Sequence, residues 1–193
     1  MPPKTVFTKE DVVSAAFEVV QQKGMKALTA REVARRLKSS TAPVYSNFES
    51  MKLLEREVMK KSRDLLLDYM TRPYTEIVFL NMGIGYAYFA REQCALFRAL
   101  YLEDSGYKEI IDELEGSMRV QMAKDARFTA LDDQDRFSLL DKMWIFTHGM
   151  ATMICVGLSE DQSDEYIIKT LKDVGSAVIG ATLMRQNPNR RNS

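Results

Sequence analysis

Along the chain, apolar positions recur three and four residues apart, and no segment alternates long enough to make a strand. Thr8 followed by Asp11 has the form of a capping box with Asp in place of Glu. It opens a helix whose Val13, Ala16, Phe17 and Val20 share one face. Gly24 ends that helix, because glycine takes the conformation beyond a last helical turn without a Cβ clash. Thr29 with Glu32 is a second capping box, and the short helix 30–37 buries Val33, Ala34 and Leu37. Ser39 and Ser40 then supply capping oxygens for a third helix, 41–48, in whose first turn Pro43 sacrifices no hydrogen bond. Ser50 caps a long fourth helix through Leu53, Leu54, Val58, Leu65 and Leu66, which must stop before Pro73.

Beyond Pro73 the same period continues in helices at 75–91, 94–102, 107–126, 133–158 and 163–184, which makes an all-α chain of about nine helices. Connections are short, apart from 127–132. The last two helices are the most apolar. One carries Phe137, Leu140, Trp144, Ile145, Met150, Met153 and Ile154. The other carries Ile167, Ile168, Leu171, Val174, Val178, Ile179 and Leu183, with Gly175, Ser176, Ala177 and Gly180 allowing close approach. Two helices this apolar around their circumference need more cover than a small body supplies, and a second copy of the chain is the economical source. Residues 187–193 read as a disordered tail.

Composition changes this picture little: 46% apolar and 28% charged residues are those of a globular protein. Charge changes it more. The 27 basic and 27 acidic residues cancel, which at face value argues against a nucleic-acid binder. The distribution does not cancel. Residues 1–48 carry eight basic and four acidic groups, a net +4, whereas residues 73–184 carry ten basic and eighteen acidic groups, a net −8. Cys94 and Cys155, far apart and outside any CxxC pattern, are expected to be buried free thiols of a reducing cytoplasm. A single histidine, His148, leaves no zinc site, and no cofactor is expected. The charged start is not a signal peptide, and the uncharged run 143–159 falls short of the roughly 20 residues that span a bilayer, so the expected location is the cytoplasm.

Helices 30–37 and 41–48, joined by three or four residues, have the spacing of a helix-turn-helix, in which the second helix enters the major groove. Spacing alone is weak. The whole run LTAREVARRLKSSTAPVYSNFESMKLL, preceded by DVVSAAFEVVQQKG, resembles the DNA-binding domain of the tetracycline-repressor (TetR) family of bacterial transcription regulators. Ala15, Ala16, Gly24, Leu28, Thr29, Val33, Ala34, Leu37, Ser40, Val44, Tyr45, Phe48 and Leu54 stand in the family's spacing, from residue 8 to about residue 58. Two positions depart from it. Lys38 stands where the family usually has a turn glycine. Met51 stands where it usually has a phosphate-contacting lysine, with Lys52 beside it as a candidate substitute.

The resemblance implies an N-terminal three-helix helix-turn-helix domain over 1–49 and a helical effector-binding and dimerisation domain over 50–186. It implies that Thr29 and Tyr45 contact phosphates, while Thr41, Ala42, Pro43, Ser46 and Asn47 face base edges, with Ser40 beside them. Physical chemistry agrees with these assignments. A hydroxyl at a helix N-terminus suits an anion, small side chains let a helix lie deep in the groove, and an amide can pair bidentately with adenine. Phe48 reads as core, and Tyr45 is open to either core packing or a phosphate contact. Arg31, Arg35 and Arg36 are open to a solvated face or a phosphate contact, and Arg31 is kept as the candidate.

The family's small-molecule cavity implies an effector set of Met82, Tyr86, Phe89, Phe97, Met118, Met122, Trp144 and His148, suited to a bulky apolar or amphipathic compound. Residues of these types are more often core than ligand contacts, and His148 reads more readily as a core or interface histidine. The run WIFTHG, 144–149, is similar to a motif in some family members. The expected function is a homodimeric repressor released from a palindromic operator by a small effector. The alternatives are a relative answering to a protein or to no ligand, and, from another class, a small enzyme or lipid-binding protein. Enzyme chemistry has little support: Gly83-Ile-Gly85 follows no strand, and the acids at 132, 133 and 135 suit the positive end of a helix.

Overall fold

The computed structural model describes residues 7–103, 106–129 and 131–186, so the expected tail lies outside the described residues. Among them are nine α-helices and no strand, an all-α architecture: α1 (Lys9–Lys23), α2 (Ala30–Arg36), α3 (Ala42–Asn47), α4 (Met51–Thr71), α5 (Val78–Glu92), α6 (Cys94–Tyr101), α7 (Lys108–Met122), α8 (Asp133–Cys155) and α9 (Asp164–Gln186). Short 3-10 turns occupy Met25–Ala27 and Ala126–Phe128. None of the described helices is long and apolar enough to cross a membrane.

Packing divides the chain into two compact units, one reaching Leu65 and including Gln93–Ile111, the other formed by Leu66–Glu92 and the residues from Asp112 onward. That division falls inside α4 and places α6 with the N-terminal helices, whereas the resemblance implies a boundary at 49/50.

In the first unit α1 is central. Its capping box is complete: the Asp11 amide donates to Thr8 Oγ1 (3.1 Å) and the Thr8 amide to the Asp11 carboxylate (2.8 Å). Val12 and Val19 are buried as well as Ala16, Phe17 and Val20, while Val13 is only half-buried. The single apolar face expected of this helix is therefore too narrow, because α2, α3, α6 and the 25–27 turn all pack around it. Gln21 donates to the Gln93 side chain at 2.8 Å, fixing the start of α6 beside the end of α1. Gly24 caps α1 with φ 80°.

In the second unit α5 is central, and every residue from Ile84 to Ala90 is buried. α8 and α9 pack against it and against each other. At Gly85 the helix meets α4 so closely that an added Cβ would lie 2.1 Å from the Tyr69 carbonyl oxygen. α5 starts at Val78, later than the period predicts. The reason is polar. The Asn81 side chain accepts from the Thr75 amide and hydroxyl and donates to its carbonyl, all at 2.8 Å, so that peptide is withdrawn from the helix. Asp132 caps α8 by accepting from the Asp135 amide (2.8 Å), as the acid cluster at a helix start predicts. Arg91 lies over the Tyr88 ring and donates to Asp164 and to the Gln162 carbonyl, both at 2.8 Å, pinning the α8–α9 connection to α5.

The cysteine expectation is overturned. Cys94 and Cys155 are disulfide-bonded and only half-buried. The inference to a reducing compartment that rested on free thiols falls with that expectation.

Replacing Gly85 by Ala should cost about 3 kcal/mol or prevent folding, because the clash is with main chain and cannot rotate away. Gly116 in α7 has nothing near its missing Cβ. Replacing it by Ala should instead stabilise by about 0.5–1 kcal/mol. Urea unfolding of both variants separates the outcomes, and similar shifts at the two positions would contradict the close approach.

Candidate nucleic-acid interface

The interface is built on the turn between α2 and α3. Thr29 caps α2, its hydroxyl oxygen accepting from the Glu32 amide (3.2 Å) and leaving its own proton to donate. The reciprocal half of the expected capping box is absent, because the Glu32 carboxylate is drawn to Lys23 and Arg35, each at 2.8 Å. Those hydrogen bonds, to Arg35 first and Lys23 second, hold the Glu32 pKa down at about 2 against an ordinary 4.5. Arg36 is paired with Glu18 and reaches Gln22 at 3.3 Å. Of the three arginines of α2, Arg31 is exposed and has no salt bridge among the described residues.

α2 ends in a Schellman motif. The Ser39 amide donates to the Ala34 carbonyl (3.0 Å) and the Lys38 amide to Arg35 (3.2 Å). Lys38 has φ 52°, the one non-glycine residue at positive φ among the described residues. It therefore accepts the left-handed geometry for which the resemblance leads one to expect glycine. Ser40 Oγ accepts from the Ala42 amide at 3.4 Å, and α3 then runs for six residues with Thr41 as its N-cap and Pro43 in its first turn.

α3 faces inward through Val44, with Phe48 just beyond it, both buried, and Lys9 lies over the Phe48 ring. Its outer side presents Ala42, Tyr45 and Ser46, with Thr41 and Pro43 half-exposed. Tyr45 is 61% exposed, so the core-packing alternative fails for it. Ser46 Oγ donates to the Pro43 carbonyl (3.2 Å). Asn47, expected at a base edge, donates its side-chain amide to the carbonyls of Phe7 (3.2 Å) and Pro43 (2.9 Å), bonds it would have to exchange to pair with adenine. Ser50 Oγ accepts from the Leu53 amide at 3.3 Å, and Lys52 is exposed on the first turn of α4.

Residues 12–58 match the family model described as bacterial regulatory proteins, tetR family. The chain carries a TetR-family N-terminal helix-turn-helix domain. No curated protein matches the chain. The match identifies residues 12–58 as a DNA-binding domain of bacterial regulatory proteins.

The second unit, which lies outside the matched residues, holds a cavity of about 90 Å³. Of the eight expected lining residues, Met82, Tyr86, Met118 and Trp144 do line it. Phe89 is fully buried against Tyr69 (ring centroids 5.6 Å), Met122 is packed in the core, and Phe97 belongs to the first unit beside Tyr101. His148 stands behind the lining, with its Nδ1 2.8 Å from the Tyr86 hydroxyl and its ring stacked on Trp144. Burial holds its pKa below the ordinary value. Phe79, Leu140, Met143 and Thr147 also line the cavity, as does Arg127. Met143 and Thr147 were legible, since they share a helical face with Leu140. Arg127 was not, because its position depends on the buried Asp125, which receives it at 2.8 and 2.6 Å and also accepts from the Phe79 amide at 3.2 Å.

Glu32 should titrate near pH 2 by NMR. Its pKa is depressed, so its contribution to stability is complete above about pH 4.5 and is withdrawn as the pH falls toward 2. Glu32→Gln should flatten acid unfolding across that window and leave stability at pH 7 lower. An unchanged acid profile would show that the Lys23–Glu32–Arg35 cluster does not form in solution.

Proposed function

We propose that the protein is a homodimeric repressor that reads a palindromic operator with α3 of each subunit. The observation that carries the reading is the exposure of Tyr45 on a helix whose remaining outward side chains are small. The outer side of such a helix has no bulky apolar cluster to bury and fits a groove. Thr29, Arg31, Tyr45 and Lys52 are assigned to phosphates, and Ser40, Thr41, Ala42, Pro43 and Ser46 to base edges, where their methyl and hydroxyl groups meet thymine methyls and base acceptors. Asn47 is assigned to holding α3 against the segment before α1.

Dimerisation is supported by α8 and α9. Phe137, Ile145 and Met153 are exposed at eight-residue spacing along α8, with Gly149 between the last two. On α9 the exposed side carries Tyr166, Ser176, Ala177, Ala181 and Met184. Large apolar side chains opposite small ones suit helix-to-helix packing between copies.

Release by a small effector entering the second unit is supported by the cavity's apolar lining. Its size limits the effector: about 90 Å³ is below the roughly 150 Å³ that takes a benzene and far below the 300–1,000 Å³ of drug-sized sites. A bulky compound therefore needs the lining to move, and Met70, Met82, Met118 and Met143 are the flexible side chains that can do so. α4 is continuous through both units and would carry the change to the DNA-binding helices, provided the effector prefers the non-operator conformation. The same small volume favours a second reading, a regulator that answers to a protein partner. Effector screening by thermal shift and operator release distinguishes the two.

Footprinting on genomic fragments at moderate salt should reveal a palindrome whose half-sites lie about one helical turn apart, or a modest multiple of it. Tyr45→Phe should weaken operator and random DNA alike, and the absence of any site-specific complex with the unaltered protein would overturn the reading. Ile145→Glu should yield a folded monomer by sedimentation and reduce operator affinity at least tenfold (about 1.4 kcal/mol). A variant that stays dimeric would move the interface elsewhere.

A further inference from the structure

We propose that Lys38 is a DNA-phosphate contact, and that the chain keeps a lysine in a left-handed turn because its charge is needed there. The inference rests on the DNA-binding reading above and adds a residue to it. A lysine at φ 52° holds its Cβ against the following carbonyl, whereas glycine adopts this conformation freely. Strain of this kind persists where something outside the local backbone selects for the side chain. No hydrogen bond or ion pair does so among the described residues, where the Lys38 side chain is exposed and makes neither.

The other cations of the helix-turn-helix region give this weight. Lys23 and Arg35 share Glu32, Arg36 is held by Glu18, Lys9 lies over Phe48, and Lys61 bonds Ser14 and lies over Phe17. Over the described residues to position 52, that leaves Lys26, Arg31, Lys38 and Lys52 without an ion pair or ring contact. Lys38 is the one fixed between α2 and α3, three residues ahead of Thr41, the N-cap of α3. With α3 in the major groove by its N-terminal turn, a cation at this turn stands at the groove's edge, where the phosphates run. Its only internal role is to offset the negative end of α2, which a charge-removing variant exposes as a loss of stability alone.

Three variants test the proposal. Lys38→Gly removes charge and strain together, Lys38→Gln removes the charge and keeps the strain, and Lys38→Arg keeps both. Binding to operator and to random duplex DNA is measured from about 50 to 200 mM salt. Thermal unfolding is followed alongside. Lys38→Gly should unfold no lower than the unaltered protein, yet bind both DNAs roughly five- to tenfold more weakly at 0.1 M salt. Its salt slope should fall by about 0.9 for each Lys38 engaged. Lys38→Gln should share that binding loss, and Lys38→Arg should bind like the unaltered protein. If Lys38→Gly and Lys38→Gln keep both the affinity and the slope, the proposal is overturned while the DNA-binding reading stands. Failure of the unaltered protein to bind any DNA overturns that reading, and the proposal with it.

Discussion

Between Arg36 and Ala42 the chain must turn from one helix into the next within a few residues without leaving polar backbone unpaired, and the orientation of α3 depends on how it does so. Two hydrogen bonds close the end of α2, from Ser39 to Ala34 and from Lys38 to Arg35, and they can form only with residue 38 in the left-handed region. The six residues of α3 are too few to be helical alone. Their helix is held at the front by Ser40, at the back by Asn47 on the Phe7 and Pro43 carbonyls, and from beneath by Val44 and Phe48. Once those contacts are made, Ala42, Tyr45 and Ser46 have no direction left but outward.

The electrostatics of this region are set by pairing more than by count. A net +4 over residues 1–48 suggests a broadly basic surface, yet Glu32 and Glu18 between them engage Lys23, Arg35 and Arg36. These exposed pairs contribute modestly to stability. Their larger effect is to reduce the free positive charge to a few sites whose positions are defined, so attraction to DNA depends on geometry as well as on sign.

Much of the fold was legible because its signals are local. Thr8 with Asp11, Gly24, Thr29, Pro43, Ser50, Pro73 and Asp132 mark helix ends within three residues of themselves, and the structure places helix limits close to each. The expectations that failed depended on partners distant in sequence. Val12 and Val19 are buried by other helices, the start of α5 is decided by Asn81, and the bonded state of Cys94 and Cys155 has no sequence signature. At the candidate interface the residue types were legible from the resemblance. The commitment of Asn47 to Phe7 was not, since a contact across forty positions leaves no periodicity. Half of the expected cavity lining proved to be core for the same reason: a Met or Phe looks alike in both settings.

The division of labour on α3 bears on how such a regulator changes over generations. Val44 and Phe48 carry the packing, while Thr41, Ala42 and Ser46 contribute no buried apolar contact. If α3 reads DNA as proposed, substitution at these outward positions would alter what is read with little cost to folding. An operator and its regulator could then drift together in small steps, each intermediate remaining a folded protein, with the scaffold beneath α3 unchanged.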